Sequence, residues 1–267
     1  MPLCDVSGAQ IFFEDSGGDK VPIVFSHGLL WSGEMFAPQV ECLRETYRCI
    51  CWDHRSQGRS PDSQTAFDME QLTDDALTLF RSLELAPCHF VGLSMGGFVG
   101  MRIAARHPGV LRSLTLIDTA ADREPPLNIP KYRAMAFAAR LFGYRMLVSP
   151  IMKIMFSPAF LQDPSRRAQR RKMEDHIATL RDAGTRAALE SVVSRRSVEH
   201  ELSQIQIPTL VLHGQDDAAI VPHRAQSTAK RIAGAKLQMI PNAGHTSTVE
   251  EPTAINLAIH DFLRRVP

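Results

Sequence analysis

A chain of 267 residues with 44% hydrophobic content carries enough apolar side chain to bury a large core, and a single α/β domain accounts for that length. Thirty Lys and Arg against 29 Asp and Glu leave a net charge of +1, which offers no field to draw in nucleic acid or an anionic membrane and suits a small neutral molecule. The opening residues, Met1-Pro2-Leu3-Cys4-Asp5, lack the basic and apolar parts of a leader, and five cysteines without C-x-x-C spacing fit reduced thiols, so the expected location is cytoplasmic.

In chain order, residues near Val6 to Glu14 read as an antiparallel hairpin at a sheet edge. Strands are predicted near Val21 to Ser26, Arg48 to Asp53, Cys88 to Leu93 and Ser113 to Ile117. Helices are predicted between them, near Phe36 to Glu45, Glu70 to Leu83 and Gly97 to Arg106, the last stopped by Pro108 and Gly109. Cys49 and Cys51, two apart, fall on one face of their strand. From Thr119 to Ser203 the alternation gives way to helical periodicity, broken by Pro125-Pro126, Pro130, Gly143, Pro150, Pro158, Pro164 and Gly184. It returns as strand Thr209 to Leu212, a helix, strand Leu237 to Ile240 and helix Pro252 to Arg265. Such alternation predicts an α/β fold with a mostly parallel, doubly wound sheet. Residues 1–120 and 204–267 would form its core, and residues 121–203 an inserted helical cap.

The first part of the cap is apolar, with Tyr132, Met135, Phe137, Leu141, Phe142, Met146 and Leu147 followed by Ile151, Met152, Ile154, Met155, Phe156 and Phe160. Methionine-rich surface adapts to varied shapes, so Met135 and Phe142 are candidate pocket residues, docking of the cap on its own domain being the alternative. Pro150 and Lys153 interrupt the run, which is too short to span a membrane. The cluster Arg166, Arg167, Arg170, Arg171 and Lys172 is followed by Glu174 and Asp175 and reads as a solvated helix face.

The chemistry is concentrated at Val91-Gly92-Leu93-Ser94-Met95-Gly96-Gly97, which reads as a strand, a sharp turn bearing a serine, and a helix. Such a turn strains the backbone at Ser94 and brings the residues two before and two after it together, which Gly92 and Gly96 permit. A serine hydroxyl is a weak nucleophile until a base takes its proton, and the base needs a carboxylate to fix its tautomer. Both follow downstream: His213-Gly214-Gln215-Asp216-Asp217 after one strand and Asn242-Ala243-Gly244-His245 after the next, giving the order Ser94, Asp217, His245. Asp118, which also ends an apolar strand, is the alternative acid. An oxyanion hole needs two main-chain N–H groups, and Met95 with Leu29, in Ser26-His27-Gly28-Leu29-Leu30-Trp31, are the candidates. Trp31 beside that loop either lines the pocket or packs on the cap. His27, His54, His89 and His213 read as structural, and without H-E-x-x-H or paired Cys/His spacing no metal is expected.

With these residues the chain resembles a capped, single-domain α/β-hydrolase over essentially its whole length. Asp53-His54-Arg55-Ser56-Gln57-Gly58-Arg59-Ser60 resembles the family's D-x-R-G-x-G-x-S turn, with Ser56 in place of the first glycine. Gly214 and Asp217 match its G-x-x-D turn, and Gly92 to Met101 is most similar to small esterases, enol-lactone hydrolases and cofactor-free haloperoxidase-like enzymes. The resemblance implies an eight-stranded sheet, no cofactor, and cleavage of partly apolar carboxylic esters through an acyl-enzyme. A lactone, peroxide in place of water, carbon–carbon cleavage and a slow-turnover ligand receptor are the alternatives.

Overall fold

The structure, a computed structural model, describes residues 2–266. Eight strands run β1 (Leu3–Val6), β2 (Ala9–Asp15), β3 (Pro22–Ser26), β4 (Arg48–Trp52), β5 (Cys88–Leu93), β6 (Leu111–Ile117), β7 (Thr209–Gly214) and β8 (Lys236–Ile240). Their order in the sheet is β1-β2-β4-β3-β5-β6-β7-β8, with β1 and β2 antiparallel at one edge and the other six parallel. The expected α/β architecture, mostly parallel and eight-stranded, is therefore present. Strand β5, between β3 and β6, is buried at every residue, as a central parallel strand covered on both faces must be.

Helices α1 (Ala37–Leu43), α2 (Met69–Ser82) and α3 (Met95–Arg106) alternate with these strands. Between β6 and β7 come five more, α4 (Asn128–Phe142), α5 (Val148–Met155), α6 (Pro158–Gln162), α7 (Arg167–Ala178) and α8 (Asp182–Val193). After them lie α9 (Pro222–Arg231), α10 (Ser247–Glu250) and α11 (Pro252–Leu263). Among the described residues no helix is long and apolar enough to cross a membrane.

Alternate residues of the strands feed two cores, one on each face of the sheet. One contains Phe90, Leu114 and Val211 with Leu72 and Phe80 of α2 and Phe98 and Met101 of α3. The other contains Val91, Ile117 and Leu212 with Leu43 of α1, Ile255 and Ile259 of α11, and Ile151, Met155 and Phe156 of the α4–α8 region. Cys49 and Cys51 share that second face, and all five cysteines are free thiols.

The turn after β4 absorbs its departure from the family pattern. Ser56 takes the left-handed conformation expected of the missing glycine, with φ 65°, and its Oγ accepts a 2.8 Å bond from Ser63 N–H. Arg55, nearly inaccessible, pairs with Asp75 of α2 through Nε–Oδ2 and Nη2–Oδ1 contacts of 2.6 and 2.5 Å. Asp53 accepts from Gly33 N–H and Arg59 N–H, both at 2.7 Å, so the turn is tied to the loop that follows β3.

The α4–α8 region corrects part of the sequence reading. Phe137, Leu141 and Phe142, on the outward face and at the end of α4, and Met146, in the short turn that follows it, are exposed, at 61%, 57%, 65% and 69%. The basic cluster divides as well. Arg167, Arg171 and Lys172 are exposed, whereas Arg166 holds Glu251 at 3.0 Å and Arg170 bonds the main-chain oxygens of Phe160 and Asp163.

Candidate active site

The turn from β5 into α3 is as tight as its glycines suggest. Ser94 has φ 49° and ψ −110°, a conformation that L-residues rarely adopt and that surrounding structure must enforce. A Cβ on Gly92 would stand 2.5 Å from the carbonyl carbon of Gly96, and one on Gly96 would stand 2.0 Å from the main-chain oxygen of Ser26. Only hydrogen fits at either position. Ser94 is itself held from both sides, its N–H donating to Ile117 O at 2.8 Å and its carbonyl accepting from Thr119 Oγ1 at 2.9 Å.

Loops after β7 and β8 bring the partners to this serine. Ser94 Oγ lies 2.9 Å from His245 Nε2, and His245 Nδ1 lies 2.8 Å from Asp217 Oδ2. A carboxylate accepts only, so Nδ1 carries the hydrogen and Nε2 is left free to accept from the hydroxyl. Asp217 is in turn fixed by Ala219 N–H and Ile220 N–H, which donate to Oδ1 at 2.8 and 2.9 Å. Burial by itself would depress the His245 pKa; Asp217 overrides it, with Asp118 and Glu250 behind, and the imidazole sits above its ordinary value. The arrangement can move a proton from the Ser94 hydroxyl to the imidazole and hold the imidazolium that results.

Asp118, the alternative acid, stands at the end of β6 and is engaged elsewhere. It accepts from Gly214 N–H at 2.9 Å and from Ser247 N–H and Oγ–H at 3.1 and 2.6 Å, tying the Asp217 and His245 loops together. Burial raises its pKa. His213 completes a buried cluster with Asp118 and Asp217, but its Nε2–H donates to Ile220 O at 2.7 Å and both carboxylates are taken by N–H and O–H donors. His27 and His54 are buried and structural: His54 N–H donates to His27 Nε2 at 2.9 Å, His27 Nδ1–H donates to Gly28 O at 2.7 Å, and burial depresses both imidazoles.

Leu29 is among the residues around the cavity that meets Ser94, Met95 follows that serine in the chain, and the neighbours of both have hydrogen-bond partners. Leu30 N–H donates to Gln57 Oε1 at 3.2 Å, Trp31 N–H to Gly28 O at 3.3 Å, and Gly96 N–H to His27 O at 3.1 Å. Met95 opens α3, where the N–H groups have no helical acceptor and the dipole is positive. Gln57 carried no sequence signal, yet it shapes the Leu29 loop.

A cavity of about 120 Å³ opens onto Ser94 and His245. Its walls are mainly apolar, with Leu29, Phe98, Met135, Ile151 and Met155 among them. Met135 therefore faces the cavity as expected, while Phe142, another pocket candidate, is turned to solvent at the end of α4. Trp31 lies outside this cavity: it is buried, stacked on His176 of α7 at 5.2 Å between ring centroids and edge-on to Phe156 at 5.9 Å. Sequence reading missed a buried ion pair at the wall, Arg195 Nη1 with Glu124 Oε2 at 3.0 Å, with the guanidinium 4.2 Å from the Phe98 ring centroid. Two charges 71 positions apart, each in a charged stretch, give no local signal.

Comparison with solved structures finds the enol-lactonase from Burkholderia xenovorans LB400 at TM-score 0.91 and 29% identity, covering 99% of this chain and 100% of that one. An esterase from Thermogutta terrifontis, solved with malate bound, matches at TM-score 0.88 and 28% identity over 97% of this chain and 94% of that one. Among curated sequences, a Rhizobium rhizogenes protein provisionally named carbamate hydrolase RutD is 28% identical, covering 92% of this chain and 94% of its own. The 3-oxoadipate enol-lactonase 2 of Acinetobacter baylyi is 26% identical over 92% of this chain and 90% of its own. Residues 21–252 match the profile of the alpha/beta hydrolase fold, and the chain belongs to the α/β-hydrolase family.

Proposed function

We propose that the protein is a serine hydrolase that cleaves small to medium, partly apolar carboxylic esters through an acyl-enzyme. The observation that carries this reading is the Asp217–His245–Ser94 relay, with links of 2.8 and 2.9 Å, at the end of an apolar cavity. His245 takes the Ser94 proton as Oγ attacks the carbonyl carbon, and the Leu29 and Met95 amides hold the oxygen as it becomes negative. The same imidazole, now protonated, passes its proton to the departing alcohol. Water then repeats the sequence at the acyl-enzyme and releases the acid. The core of residues 1–120 and 204–267 supplies these groups, and the cap of residues 121–203 covers the acyl part.

A cyclic ester meets the same steps, and the enol-lactonases among the relatives favour a lactone as the second reading. Rates on p-nitrophenyl esters of graded length, lactones and carbamates, each beside a Ser94→Ala control, separate the classes. Faster carbamate than ester turnover would overturn the ester assignment. Because His245 is held above its ordinary value, kcat/KM should fall as acid protonates it, with an acid limb centred above 6.5. A limb centred below 6.5 would remove His245 from the role of base.

A further inference from the structure

Glu250 is fully buried in α10, and among the described residues no cation pairs with its carboxylate. Three main-chain amides donate to the carboxylate. Oε1 accepts from Gly244 N–H at 2.9 Å and Thr246 N–H at 3.3 Å, the residues on either side of His245. Oε2 accepts from Ser157 N–H at 2.8 Å, and Ser157 belongs to the inserted helices, immediately before α6. Two more bonds close the seam: Ser157 Oγ–H donates to Asn242 O at 2.7 Å and Thr246 Oγ1–H to Met155 O at 2.9 Å. The two stretches lie main chain against main chain, for a Cβ on Gly244 would stand 2.6 Å from Ser157 N. Met155, one side of this seam, is also a wall of the cavity.

We propose that Glu250 is a positioning residue whose ionised carboxylate clamps the His245 loop to the cap, so that seating the cap and placing the imidazole are one event. An ionised carboxylate offers acceptors alone, which matches three N–H donors; a protonated one presents an O–H toward those same amides. The inference rests on His245 acting as the base in the hydrolytic reading above. Burial pushes the Glu250 carboxyl up to about 7 against the pull of the Ser157 and Gly244 amides, and Asp118 at the end of β6 pushes it the same way. The other charged groups facing it are His245 on its loop and Arg166, whose guanidinium bonds the Glu250 main-chain oxygen and the neighbouring Glu251.

Linkage gives this clamp a signature that a simple brace lacks. A carboxyl raised in the folded state makes stability fall as pH rises from the ordinary carboxyl value to about 7, so protonation leaves the fold closed and acts locally, by turning an acceptor into an O–H that faces the amides, and turnover rises over the same interval as that O–H is lost. The tests are kcat/KM against pH on a p-nitrophenyl ester, thermal midpoint against pH, and exchange protection of the Ser157 and Gly244 amides, for wild type, Glu250→Gln and Glu250→Asp. In wild type the acid limb should require two protons, and both amides should lose protection together as pH rises toward about 7, in step with the stability. Glu250→Gln should show a one-proton limb, a kcat reduced roughly 10- to 100-fold with a smaller change in KM, and a flatter stability profile. Glu250→Asp, which keeps the charge, should retain the two-proton limb. A one-proton limb in wild type, or a two-proton limb in Glu250→Gln, overturns the proposal. If Glu250→Gln does not fold, the wild-type limb and its amide protection decide. Loss of the hydrolytic reading shows separately, as a wild type no faster than Ser94→Ala, and amide protection still tests the clamp in that case.

Discussion

The two walls of the cavity tolerate change very differently. On the sheet side, Ser94 is 7% exposed and bracketed by Gly92 and Gly96, where one added methyl would strike main-chain atoms at 2.5 and 2.0 Å. On the α4 side, Met135 faces the cavity while Phe142, seven positions on, is 65% exposed, and flexible thioether and branched side chains fill the remainder. The first wall is set by backbone sterics, which accept one residue type. The second is set by side-chain packing, which accepts any combination of similar volume. A fold built this way can keep its reacting atoms fixed while its complement of substrates drifts.

Substitutions along both walls sharpen that contrast. Ser94→Ala should lower kcat by about a million-fold on the best ester, and activity within about a hundred-fold of wild type would mean another nucleophile. Asp217→Asn should cost about ten-thousand-fold, because the amide no longer selects the His245 tautomer; near-normal turnover there, with the loss transferred to Asp118→Asn, would move the acid to the end of β6. Gly96→Ala should lower stability by about 3 kcal/mol in thermal or urea unfolding, since the Ser26 main chain has nowhere to go. On the other wall, Met135→Ala should leave the fold intact and shift the preferred acyl length, changing relative kcat/KM about tenfold. Phe142→Ala should alter both stability and kcat/KM by less than about twofold, and a larger effect on a long-chain ester would bring that ring back into substrate contact.

The same contrast explains what could be read without coordinates. The elbow was legible because its geometry demands Gly-x-Ser-x-Gly, and Asp217 and His245 because each follows a strand at a spacing fixed by a turn. The sheet followed from alternation, and Ser56 declared a left-handed position by standing where a glycine is usual. The α4–α8 region obeys no such demand. Helical periodicity at Phe137, Leu141 and Phe142 is the same whether that face meets a cavity or water, so Phe142 was read inward. Trp31 was open between two fates, and stacking on His176 shows that it meets α7. Glu250 and the Arg195–Glu124 pair were missed because charge reads as surface in a sequence; nothing local announces that three main-chain amides or an opposite charge far along the chain will receive it.

The inserted helices leave the sheet after β6 and return as β7, and those two strands are hydrogen-bonded neighbours, Leu114 opposite Thr209 through Ile117 opposite Leu212. The excursion is thus a closed one, with both stems anchored side by side. Closing a longer or shorter loop across fixed stems changes the chain entropy only by about 0.6 kcal/mol per doubling of length. The length of the segment between Asp118 and Thr209 is therefore cheap to vary in chain entropy, and what constrains an exchanged insert is the stems, the His245 seam and the core it shares with the sheet through Ile151, Met155 and Phe156.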